Sequence, residues 1–210
     1  MLNFFHGVTP AVVFASIADD KTEQCDHYRE KLKHNMTYQY PSRKIVSLTT
    51  QDTDEMDARS QHYLNAFLDT LSREQRANYT SFSADYFCAD EYNANACAEL
   101  IKKGEKRASC SMELWYSQEG EERPQVGHLH VVTDWYGNPH CIIEITDVSD
   151  CPFNEVTAEF AASEGEGDKS YTWWRQAHWN FFSKECEELG IEMKEDMLLV
   201  LERFEVVYPR

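Results

Sequence analysis

Gly104-Glu105-Lys106-Arg107-Ala108-Ser109 is the stretch from which the organisation of this chain follows. It sets a lysine three residues before a hydroxyl, directly behind a glycine suited to end a helix and ahead of an extended run. Upstream, Asn93 to Lys103 has helical periodicity, with Cys97, Leu100 and Ile101 apolar and lysines in the last turn, where the helix dipole favours cations. Downstream, Ala108 to Tyr116 has the composition of a strand. Lys102, Lys103, Lys106 and Arg107 fall within six positions of a chain whose formal charge is −17. On spacing alone this is a solvated cluster closing a helix. A site is the sharper alternative, because so much positive charge stands out against an acidic background.

Earlier in the chain, Asp57 opens an amphipathic helix carrying Tyr63, Leu64, Phe67, Leu68 and Leu71 on one stripe. Leu129 to Trp135 and Cys141 to Val148 form an expected hairpin around Tyr136-Gly137-Asn138-Pro139. Phe153 to Ser163 is expected as a short helix ending in the glycine-rich loop Glu164-Gly165-Glu166-Gly167-Asp168. Ser170 caps a long helix through Leu189, with Trp174, Ala177, Phe181, Cys186 and Leu189 facing inward. Met197 to Tyr208 closes the chain as a strand. Strands with helices inserted between them point to an α+β, barrel-like domain over residues 56–210. Residues 1–55 have no sustained periodicity and are expected to be a poorly structured extension, with Met56 as the alternative start.

Composition removes several classes of function. Carboxylates outnumber Lys and Arg 37 to 20, so sequence-indifferent binding of long nucleic acid is opposed by the protein's own field. No apolar run is long enough to span a bilayer. The seven cysteines are scattered, without a CxxC pair, which fits a reduced, cytoplasmic protein. GxGxxG, Walker, HExxH and GxSxG motifs are absent, and no cofactor is expected. His128 and His130 alternate along a strand without a spaced third ligand, so no metal is expected.

A lysine can serve as a base only if its pKa falls by ~3 units, through burial or neighbouring cations. A neutral Lys106 could then take the proton of Ser109 and make it a nucleophile. The carboxylates of the 164–168 loop could pair with Lys106 or accept donors from a ligand. Tyr171, Trp173, Trp174, His178 and Trp179 form an aromatic patch on which one or two bases could stack, although helical spacing assigns most of these rings to the core.

The 104–109 stretch resembles the GxKxx[ST] signature of ASCH domains, small β-barrels similar to the PUA fold. Gln125-Val126-Gly127, Cys151-Pro152-Phe153, the 164–168 loop, Trp174 to Trp179 and Leu199 to Phe204 resemble segments of the bacterial subgroup of about 150 residues, in the expected order. The resemblance implies a PUA-like/ASCH β-barrel with inserted and flanking helices. It also implies a nucleoside or RNA ligand. One ASCH branch hydrolyses the N4-acyl amide of acetylated cytidine with a Lys, a Thr and a Glu. These correspond to Lys106, Ser109 and either Glu164 or Glu166. Lys103, Arg107, Trp174 and His178 are the expected ligand-binding residues. The alternative implied by the family is an RNA-binding module or ribonuclease for short single strands, using the same basic cleft.

Overall fold

The computed structural model describes residues 56–209 apart from residues 89 and 119, so the expected extension over 1–55 lies outside the described residues. Helix α1 (Ala58–Leu68) begins where the Asp57 carboxylate accepts the backbone N–H groups of Arg59 and Ser60. A single turn, α2 (Arg73–Arg76), is closed by a capping box between Ser72 and Gln75. Strand β1 (Phe82–Asp85) precedes α3 (Glu91–Lys102), which Asp90 caps. Then come β2 (Ala108–Met112), α4 (Glu113–Ser117), β3 (Leu129–Thr133) and β4 (Pro139–Pro152). After a 3₁₀ turn at Phe153–Glu155 follow α5 (Ala158–Ser163), α6 (Tyr171–Glu188) and β5 (Leu198–Tyr208).

The strands form one five-stranded mixed sheet in the order β1-β3-β4-β5-β2. β1 runs parallel to β3, and the other neighbours are antiparallel. This is an α+β fold. β1 and β2 stand at the two ends of the order, and no ladder among the described residues joins them into a closed barrel.

Alternation along the strands sends side chains to separate cores. Leu129, Val131, Ile142 and Val207 pack with Leu64, Phe67 and Leu68 of α1. Val132, Cys141, Ile143 and Phe204 pack with Ala94, Cys97 and Ile101 of α3. Ala108, Cys110, Met112, Leu199 and Leu201 pack with Trp174, Phe182 and Cys186 of α6. The buried stripe of α6 is therefore Trp174, His178, Phe182 and Cys186, while Leu189 is exposed. Ala177 and Phe181, the expected inward residues, are half-buried at its flank.

A further expectation is corrected, and one strand had gone unread. The strand expected over Ala108 to Tyr116 stops at Met112, because the chain turns into α4 and buries Trp115. β1 had no apolar alternation to announce it. Its Phe82 is exposed, and serine–histidine hydrogen bonds fasten it to β3. Among the described residues no helix is long and apolar enough to cross a membrane.

Candidate active site

Gly104 follows α3 with φ +70°, and the backbone N–H groups of Glu105 and Lys106 both donate to the Leu100 carbonyl. This tight closure turns Lys106 into the protein. The Arg107 N–H then donates to the Ser163 carbonyl at 2.8 Å, fastening the start of β2 to the end of α5. Glu164 follows Ser163 directly. Gly165 adopts φ +72°, and a Cβ there would lie 2.3 Å from the Glu105 carbonyl oxygen, so only glycine allows the 164–166 loop to approach so closely.

The result is a buried ionic cluster. Lys106 is completely buried, and its Nζ donates to Glu166 Oε1 at 2.7 Å and to Glu164 Oε2 at 3.2 Å. The other oxygen of Glu164 accepts the Trp174 indole N–H at 2.8 Å and lies 3.4 Å from His178 Nε2. His178 Nδ1 donates to the Trp174 carbonyl, and the two rings stack with centroids 4.1 Å apart. Trp174 and His178 thus hold Glu164 rather than offering open faces to a base.

The expected fall in the pKa of Lys106 is corrected by these neighbours. Burial presses the ammonium down, but Glu166 and Glu164 outweigh it and hold Lys106 well above its ordinary value. Lys106 is a cation at neutral pH and cannot remove a proton from Ser109. Burial raises Glu164, yet Lys106 and His178 overcome it and keep that carboxyl well below its usual range. Glu166, pushed up by burial and by Glu164 against the pull of Lys106, sits above it.

The other cations go elsewhere. Lys102, Lys103 and Arg107 are exposed, and Lys103 lies 3.8 Å from Glu99. Their adjacency in sequence is not adjacency in space, because the turn after α3 sends Lys106 alone inward.

Ser109 is completely buried on β2, and its hydroxyl has no hydrogen-bond partner among the described residues. Directly opposite on β5 lies Glu202, a buried carboxylate that the motifs did not single out. Burial, with Glu164 adding and Lys106 opposing, pushes its pKa up to about 7. The signal for it was present in Leu199-Val200-Leu201-Glu202, a carboxylate at the end of an apolar strand run.

Cys110, Glu164 and His178 bring one potential ligand atom each to within 4.8 Å of one another. The donor set fits a metal poorly. The Lys106 ammonium already neutralises Glu164, and burial together with Glu164 pushes the Cys110 thiol well above its ordinary value. His128 and His130 are engaged by Ser81 and Ser83 at 2.6–2.7 Å.

The ASCH domain model matches residues 83–208. An ASCH domain from Lactobacillus crispatus JV V101 is 68% identical, with a TM-score of 0.72 over 74% of this chain and 98% of that one. Protein EF3133 of Enterococcus faecalis V583, assigned to DUF984, is 29% identical with a TM-score of 0.60, over 71% of this chain and 88% of its own. No curated protein matches the sequence. With its lysine, hydroxyl and glutamate loop inside the matched span, the chain belongs to the ASCH domain family.

Proposed function

We propose that this protein is a cytoplasmic hydrolase of N4-acylated cytidine-type amides, taking a modified nucleoside as substrate on a PUA-like frame. The observation that carries the reading is the Ser109 hydroxyl, fully buried and without a partner among the described residues, three positions from a buried lysine–glutamate cluster. An unsatisfied buried hydroxyl costs about 1–3 kcal/mol, which is explained if the group is reserved for a ligand.

Ser109 Oγ would attack the acyl carbonyl. The Lys106 ammonium would stabilise the negative oxygen that develops there, an interaction strengthened by its dry surroundings. Glu164 would hold Lys106 in place, and Glu166 would accept a hydrogen bond from the base. Incubating the protein with N4-acetylcytidine and following cytidine and acetate release tests this. Turnover that survives Lys106→Ala would remove the mechanism, and no turnover of any acylcytidine would remove the substrate class.

A second reading, binding or cleavage of short single-stranded RNA, is favoured by the exposure of Lys102, Lys103 and Arg107. It requires affinity that falls steeply with salt and is lost when the three are neutralised.

A further inference from the structure

Ser109 needs a base, and Lys106 is held in its charged form. The groups around it narrow the choice. Glu164 is occupied by Lys106, Trp174 and His178, and Glu166 by Lys106. Cys110 lies on the other face of β2, packed with Leu201 in the α6 core. Glu202 differs from all of these. The antiparallel register sets it directly across from Ser109, so both side chains leave the same face, with Cβ atoms about 4.5–5.5 Å apart. Glu202 is 6% exposed, and no hydrogen bond holds its carboxylate among the described residues. Two unengaged polar groups therefore face one spot in a buried setting.

We propose that Glu202 is the general base of this site, taking the Ser109 proton and passing it to the departing nitrogen of the acyl amide. The inference rests on Ser109 being the nucleophile. Glu202 accepts the hydroxyl proton as the Ser109 Oγ–carbon bond forms, and the carbonyl electron pair moves onto oxygen beside the Lys106 ammonium. When the oxyanion collapses, the carbon–nitrogen bond breaks and the leaving nitrogen takes the proton from Glu202. Water then attacks the acyl-serine, giving one proton to Glu202, which returns it to Ser109 as the acid leaves. Amide and water become acid and amine, and Glu202 ends as it began.

The groups that bear on Glu202 suit this task. Lys106, from the turn before β2, favours its charged form, and Glu164, from the end of α5, disfavours it. Tyr116 of α4 also feels Glu202 but stays protonated, its phenol pushed far up by burial and sharing a 2.7 Å hydrogen bond with Ser111. The value near 7 that results lies where a general base is most effective at neutral pH.

The test uses p-nitrophenyl acetate, whose leaving group needs no proton, and reads the burst of nitrophenolate and the acetyl adduct at Ser109 by peptide mapping. In the full-length protein the burst rate should rise with pH through a midpoint near 7. Glu202→Gln should lower it by about 10²-fold or more at pH 8 and abolish the midpoint, while Glu202→Asp restores part of both. Adduct formation in Glu202→Gln at the native rate and with the native midpoint would overturn the proposal. So would the absence of any Ser109 adduct in the native protein between pH 5 and pH 9. Acylation that follows this pattern without N4-acetylcytidine turnover would uphold Glu202 and discard only the substrate.

Discussion

Replacing Lys106 by Met removes the single ammonium held between Glu164 and Glu166 while keeping much of the side-chain volume. Both carboxylates then lie buried without their cation. Breaking a buried pair from one side costs about 3–5 kcal/mol, which for a domain of this size lowers Tm by roughly 6–20 °C. The pH dependence follows from the directions of the shifts. Glu164 has a depressed pKa when folded, so its share of stability is present above its ordinary value of 4.5 and is lost as pH falls through the folded value. Lys106 has a raised one, so its share is present below 10.5 and is lost as pH rises through the folded value. The native protein should therefore exceed Lys106→Met by a plateau of about 3–5 kcal/mol from pH 5 to pH 9, shrinking below pH 4. Urea titrations followed by circular dichroism across that range measure it. A difference under about 1 kcal/mol, or one that does not change with acid, would mean that Lys106 is not buried against these carboxylates.

Ser109→Ala should abolish hydrolysis and raise stability by about 1 kcal/mol in urea at pH 7, because it removes a buried hydroxyl without a partner. Trp174→Phe deletes the indole donor to Glu164 and should cost about 1.5–3 kcal/mol at pH 7. That deficit should narrow as acid protonates Glu164, which repeating the titration at pH 3 will show. Gly165→Ala forces a left-handed backbone on alanine and drives its Cβ into the Glu105 carbonyl. A thermal melt should show a loss of at least about 2 kcal/mol.

Much of the frame was legible because local chemistry announced it. Asp57 and Ser170 cap the helices that follow them, and Gly104 ends α3 as its position suggested. What escaped depended on partners distant in sequence. The α6 stripe runs through His178 because that ring stacks on Trp174 and meets Glu164, contacts that a scale of apolar residues does not count. β1 escaped because its Ser83 bonds to His128 and His130, some 45 residues away.

The candidate site divides in the same way. Lys106, Ser109, Glu164 and Glu166 were readable as motif residues, but the electrostatics of Lys106 were not. Its sequence neighbours are cations that point outward, whereas its spatial neighbours are carboxylates from a loop some 60 residues downstream. Glu202 lay in a quoted segment, and only the β2–β5 register brings it opposite Ser109.

The most direct measurement is single-turnover hydrolysis of N4-acetylcytidine by the native protein and by Ser109→Ala. The native protein should release cytidine through an acetyl adduct on Ser109, and the variant should release none. Release by Ser109→Ala at the native rate, or none by the native protein, would contradict it.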